Sequence, residues 1–296
     1  MKKLLIFAAL IAALAADSSP VSDLAIAKLS PWMREKKLRS FQTSELAEGV
    51  TFLSAHFDNL FGDGPVATYW LFIDWNKAEG ISLNIAHDRE RRQRPSDLAK
   101  ANGAIACVNG TYHKMSDPSL PYCQLKVDGV LLPSQYDGGD FTMAFNKGEM
   151  PYIGKFKKSL LEDYAFVISG DGIPGRGWKA EPYADTSLAA RTKRIRGRCP
   201  CTFAGNIASN RVTVIGIADG RQLRSIGLDY KERRYLLESF GCDPDQLVSF
   251  DGGGSTMMGV RTRTGFKVMS VPSDGYPVLS LERRVCESLQ ILSVSR

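Results

Sequence analysis

The sequence predicts a single α+β domain of mixed, twisted β-sheets with hairpins and a few packed helices. Three observations predict it. Short β-branched and aromatic runs punctuated by turn residues fill the middle of the chain. One strand–helix–strand unit stands in the last third, and no internal repeat or long linker divides the chain. The composition agrees: 296 residues, 44% hydrophobic and 24% charged, are enough to bury a sizeable core. The 27 glycines and 14 prolines follow no fixed period, which excludes a collagen-like or low-complexity chain. The net charge of +6 favours anionic ligands without marking a nucleic-acid binder.

The chain opens as an address. Lys2 and Lys3 precede an apolar run from Leu4 to Leu14 that ends in small residues before Asp17. This is the layout of a secretory signal peptide over residues 1–16, too short to span a bilayer. Asp17 stands where a lipoprotein would carry Cys, so a released protein is expected. Residues 17–49 form an N-terminal segment, partly helical around Pro31–Glu35, and residues 50–296 form the domain. No other stretch is apolar enough to cross a membrane.

Within the domain, Val66–Trp75 and Ile81–Ala86 read as strands. Pro95–Lys100 reads as a helix capped by Ser96, closed by Asn102-Gly103, and followed by a short buried strand, Ala104–Val108. Lys126–Leu131 carries an Asp-Gly hairpin turn. Phe141–Phe145, Asp163–Ser169 and Arg211–Ala218 read as further strands. Asp229–Phe240 is an amphipathic helix stopped by Gly241, and Leu247–Phe250 is the next strand. Met257–Val260 and Phe266–Met269 suggest a hairpin. The six cysteines are compatible with disulfides in an exported chain. Cys199-Pro200-Cys201 has neither redox-motif nor zinc-site spacing.

Chemistry concentrates at three places. Asp251 is followed by Gly252, Gly253, Gly254, Ser255 and Thr256 directly after a strand. Bare glycine amides can turn toward one point and bind an anion, and the two hydroxyls can assist. Asp251 would repel a phosphate unless a divalent cation intervenes, or unless it faces a cation-like sugar carbon. The second place is Asn109-Gly110-Thr111-Tyr112-His113, at the end of the short strand. The third is the basic stretch of Arg191, Lys193, Arg194, Arg196 and Arg198, where one arginine could clamp a phosphate. The stretch lacks interleaved aromatics, which weakens a nucleic-acid reading.

Taken in order, these segments resemble the phosphodiester glycosidase family from about Val66 to the C-terminus. The resemblance is carried by Asp251–Thr256 after its strand and by Val214–Arg221 with Ile226-Gly227-Leu228 upstream. Asn109–Tyr112, Pro272-Ser273-Asp274-Gly275 and Arg283-Arg284-Val285 complete it. The family's Pro-Arg-Thr-x-x-Gly segment matches Pro200–Gly205, but Cys201 replaces the arginine.

The resemblance implies an exported, secreted or periplasmic hydrolase. It would cleave the bond between an anomeric sugar carbon and a phosphodiester oxygen. Asp251, His113 and Asp219 are the catalytic candidates. Asn109, Arg198, Gly252–Gly254, Ser255, Thr256, Asp274 and Arg284 are the substrate-binding candidates. The pattern names no certain cofactor, and a divalent cation near Asp251 is compatible with it. The expected partner is a phosphorylated glycan or a sugar phosphodiester, not nucleic acid. The competing readings are a non-catalytic phosphoglycan-binding protein and a metal-dependent phosphodiesterase that cuts the P–O bond.

Overall fold

A computed structural model of the chain describes residues 36, 38–88, 90–113, 120–135, 141–173, 197–276 and 278–293. The signal-peptide expectation and residues 191–196 of the basic stretch lie outside these. The first strands are β1 (Leu38–Ala47), β2 (Val50–Phe57), β3 (Val66–Asp74), β4 (Ile81–His87), β5 (Ala106–Asn109), β6 (Leu125–Val127) and β7 (Val130–Leu131). Then come β8 (Phe141–Phe145), β9 (Tyr152–Lys155), β10 (Phe166–Gly172), β11 (Cys201–Ile207) and β12 (Val212–Ala218). The last are β13 (Leu247–Ser249), β14 (Met258–Thr262), β15 (Gly265–Val268) and β16 (Glu287–Ser293). The helices are α1 (Pro95–Ala101), α2 (Leu160–Asp163) and α3 (Tyr230–Ser239).

The larger sheet runs β1-β2-β3-β12-β11-β13-β10-β6-β7, with β8 also on β10 and β9 on β8. The smaller runs β15-β14-β5-β16-β4. Every pairing is antiparallel. The sheets, hairpins and few helices agree with the α+β expectation, but the described chain is predominantly β. Its strand–helix–strand unit is present but isolated among hairpins.

The period-two geometry of a strand explains how the sheets stack. In β3, Ala67, Tyr69, Leu71 and Ile73 point into a core shared with Leu83, Val108, Met258 and Leu289 of the smaller sheet. The alternate residues Val66, Trp70 and Phe72 point the other way, into a second core with Leu236 and Leu237 of α3. With both faces covered, β3 reads as an unbroken apolar run although its neighbours are antiparallel. Beyond the smaller sheet, Ala99 of α1 packs with Cys107 and Met257.

Local chemistry sets several boundaries. Asp128 and Gly129 take positive φ (49° and 83°), as a two-residue hairpin turn requires. Asp229 and Glu232 form a reciprocal capping box at the start of α3. Other expectations shift. At α1 the N-cap is Arg94 with Pro95 in the first turn, because both the amide and the hydroxyl of Ser96 donate to Glu282. The segment read as a strand from Asp163 begins with α2, and β10 starts at Phe166. β1 falls within the N-terminal segment and is the larger sheet's edge strand, paired with β2. None of the six cysteines is in a disulfide, which corrects that expectation. They are spread over separate strands and loops, and Cys107, Cys201, Cys242 and Cys286 are buried singly as small apolar residues. No helix among the described residues is long and apolar enough to cross a membrane.

Arg198 belongs to this framework. Its guanidinium lies against Glu232 of α3, with Nε 2.9 Å from Oε2, and reaches Asp63 Oδ2 at 3.0 Å. All three side chains are almost wholly buried. The expected phosphate clamp is therefore a structural ion pair that docks α3. We expect Arg198→Ala to leave two acids buried without their cation. It should lower stability by about 3–5 kcal/mol in denaturant unfolding.

Candidate active site

The site forms where the ends of β5 and β13, from different sheets, meet. Asp251 follows β13 by two residues, and its N–H donates to Gly110 O at 3.1 Å. Asn109, the last residue of β5, is fully buried. Its Nδ2 donates to Asp251 O at 2.7 Å. Its Oδ1 accepts from Thr202 Oγ1 at 2.6 Å and from Met257 N at 3.2 Å. Asn109 thus holds the Asp251 loop in place, its buried side chain engaged in bonds within the framework.

The three glycines are required by close approach. A side chain at Gly252 would press on Pro200 O, 2.7 Å from the Cβ position. Gly253 sits at φ +60°, in the left-handed region. A side chain at Gly254 would overlap the Asp274 carboxylate and the Arg283 guanidinium. The expected amide cradle is largely taken up internally: Gly252 N donates to Asp251 Oδ1 at 2.8 Å and Gly253 N to Pro200 O at 2.9 Å. The glycines clear space for side chains instead.

Those side chains are cations. A cavity of about 370 Å³ is lined by Gly252–Gly254, Asp251 and three arginines, Arg221, Arg233 and Arg283. Arg283 is held fork-to-fork by Asp274, at 2.7 and 2.9 Å. Arg233 comes from α3 and is nearly buried. It donates to Ser249 Oγ at 2.9 Å and Cys199 Sγ at 3.2 Å, and stacks 4.3 Å from the Tyr230 ring centre. Tyr112 and Tyr230 form another wall, both hydroxyls donating to Asp171 Oδ2, at 2.8 and 2.9 Å. Two larger hollows, of about 650 and 430 Å³, carry exposed charges such as Glu79 and Lys155 but no buried carboxylate.

Three titratable groups meet behind the cavity. Burial raises the Asp251 carboxyl, opposed by the Ser255 hydroxyl, the Gly252 amide and the Arg283 charge. His113 Nδ1 lies 3.8 Å from Asp251 Oδ2. Burial, then Arg92 and Arg283, push His113 down to about 4, so its imidazole is neutral at neutral pH. Glu287, the first residue of β16, is fully buried and pushed up to about 8 by desolvation, against the opposing Cys286 thiol, with the charge of Asp251 adding to the rise. A side chain on Gly110 would strike Glu287, which explains the glycine there. Burial raises both carboxyls: Glu287, at about 8, holds a proton at neutral pH, while the Ser255 hydroxyl, the Gly252 amide and the Arg283 charge favour the ionised form of Asp251. Among the described residues no group of three or more His, Cys, Asp or Glu is placed to hold a metal ion.

The structure thus gathers Asp251, the three glycines, Ser255, His113 and Asn109. It separates the others. Asp219 is buried against Tyr69 (3.0 Å), Arg224 (2.7 Å) and the amide of Val271 (3.0 Å), away from Asp251. Asp274 grips Arg283 and lies against Gly254 but does not itself line the cavity. Arg284 is exposed and Thr256 is buried beneath the loop, whereas the buried Ser255 hydroxyl stays beside the Asp251 carboxyl. Sequence reasoning missed Arg221, Arg233, Arg283, Glu287, Tyr112 and Tyr230 as site residues. For Arg233 the available signal was a cation inside an amphipathic helix, which normally marks a solvated face.

No family model matches the chain, and no curated protein matches it by sequence. Solved structures do match by fold. The catalytic domain of zebrafish N-acetylglucosamine-1-phosphodiester α-N-acetylglucosaminidase, auto-inhibited by its pro-peptide, superposes with a TM-score of 0.62 and 14% identity. That match covers 90% of this chain and 94% of the zebrafish chain. A candidate exported protein of Burkholderia pseudomallei K96243 matches with a TM-score of 0.65 and 13% identity, over 89% and 98% of the two chains. A hypothetical protein from Synechocystis matches at 0.55 and 11%, over 86% and 64%. The chain therefore shares the fold of a known hydrolase domain.

The state of Glu287 makes a prediction. Its folded value of about 8 lies above the ordinary 4.5, so the folded chain keeps a proton that the unfolded chain releases between these values. This contribution to stability is complete below about pH 4.5 and is lost as pH rises to about 8. Glu287→Gln, neutral at every pH, should flatten that part of the stability–pH curve measured by denaturant unfolding. An unchanged curve would show that Glu287 is already ionised.

Proposed function

We propose that the chain is an exported phosphodiester glycosidase, hydrolysing the C1–O bond between a sugar and a phosphodiester. The observation that carries this reading is the union, in one cavity, of a buried carboxylate with three guanidinium groups. The acid suits an oxocarbenium-like carbon, and the arginines suit the phosphate beside it.

In this reading Arg221, Arg233 and Arg283 hold the phosphodiester, and Tyr112 and Tyr230 offer ring and edge to the sugar. The C1–O bond breaks with its electron pair leaving on the phosphate oxygen. Water supplies the oxygen that ends on C1, and Asp251 stabilises the carbon and accepts the water's proton. A phosphate monoester leaves readily, so little acid assistance is needed at that oxygen. His113 is neutral and Glu287 protonated at neutral pH, so neither adds charge beside Asp251, whose ionised form is favoured by Ser255, Gly252 and Arg283. Activity should therefore fall on the acid side at a higher pH than an ordinary carboxylate would give, following the raised Asp251.

The missing family arginine is consistent with the same reading. Cys201 is buried, and Arg233 enters from α3 beside the Cys199–Cys201 segment. A cation thus reaches the cavity from a different element, so cysteine at position 201 does not leave the cavity without positive charge.

The test is Asp251→Asn, assayed for release of free sugar from sugar-1-phosphodiesters. We expect a loss of at least about 100-fold with the fold retained by circular dichroism. Undiminished turnover would remove Asp251 from the mechanism. Release of sugar phosphate instead of sugar would move the cut to the P–O bond.

A further inference from the structure

Among the described residues, the two loops that bring Arg221 and Arg283 to the cavity also carry the most solvent-exposed large apolar side chains. Leu223 is 90% exposed, Val278 86%, Leu279 59% and Leu281 49%. The other large exposed apolar residues, Leu38, Val130 and Leu131, lie on peripheral strands of the larger sheet. The two loops are tied together, since Gln222 Nε2 donates to Val271 O at 2.6 Å and Val271 N to Asp219 Oδ1 at 3.0 Å. Within the second loop, Leu281 N donates to Asp274 O at 2.8 Å and Leu279 N to Gly275 O at 2.8 Å. Asp274 in turn grips Arg283 at the cavity wall. The apolar side chains therefore stand on the same two tied loops that supply Arg221 and Arg283 to the cavity wall.

Leaving this much aliphatic surface in water costs free energy unless a partner covers it. The adjoining charge identifies that partner's chemistry. A phosphate held by the arginines is an anionic head, and a group esterified to it leaves past the two loops. The geometry points to an amphiphilic substrate: a phosphodiester whose alcohol is a long hydrocarbon chain, with that chain lying against Leu223, Val278, Leu279 and Leu281. This deepens the glycosidase reading and rests on it for the identity of the head group. A wholly hydrophilic glycan as the alcohol would leave the apolar loops without a role.

The test is made separable from turnover by measuring binding of simple phosphates to the full chain. Methyl phosphate and dodecyl phosphate, the latter below its aggregation concentration, are titrated calorimetrically. We expect dodecyl phosphate to bind at least about tenfold more tightly, as burial of only two or so methylenes would give. The double variant Leu223→Ser with Leu279→Ser should shrink this ratio, whereas Leu131→Ser, on the distant hairpin, should leave it intact. Equal affinities, no binding of either phosphate, or a ratio unaffected by the loop variant would overturn the inference. If the chain hydrolyses short-chain sugar phosphodiesters but shows no chain-length effect, this inference alone fails. If it hydrolyses none yet keeps the loop-dependent ratio, the glycosidase reading fails and the amphiphile site stands.

Discussion

One buried amide side chain holds the candidate site together. Asn109 ends a strand of the smaller sheet and bonds the Asp251 carbonyl, the Thr202 hydroxyl and the Met257 amide, groups belonging to three other segments. Each of these is buried or nearly so, where an unmade hydrogen bond is expensive. The contact therefore fixes how the end of β13 meets the end of β5. The Asp251 loop and its glycines inherit their position from that junction.

From there the loop geometry explains the charge arrangement. The glycines admit the Pro200 carbonyl and the Arg283–Asp274 pair at distances no side chain would allow. Arg233 arrives from α3, which is itself docked by the buried Arg198–Glu232 pair. The positive side of the cavity is thus assembled from a helix and two loops. Its acidic side sits deeper, with Asp251 at the wall and the protonated Glu287 enclosed behind it. Cations at the mouth with an acid at the back suit a ligand that is anionic at one end and becomes cationic next to it during reaction.

Much of the scaffold was legible in the sequence because its causes are local. The Asp128-Gly129 turn, the Asp229–Glu232 capping box and the apolar run of β3 declare themselves within a few residues. β1 did not, since its burial pattern is mostly exposed and its partner strand provides the pairing. The position of Asp251 after a strand was equally visible, but its companions were not. Arg233 looks like a surface charge on α3, and Glu287 like an ordinary strand-end acid. Only tertiary packing, across some 180 residues from Asn109 to Glu287, shows that one lines the cavity and the other is sealed beneath it. The amide cradle inferred from the triple glycine was the reverse error, because a glycine run reports close approach without saying what approaches.

The most direct measurement is a crystal structure of the chain with a sugar 1-phosphate bound. The account predicts phosphate oxygens within hydrogen-bond reach of Arg221, Arg233 and Arg283, with the anomeric carbon facing the Asp251 carboxylate. A phosphate seated elsewhere, or a sugar turned so that C1 faces away from Asp251, would contradict it.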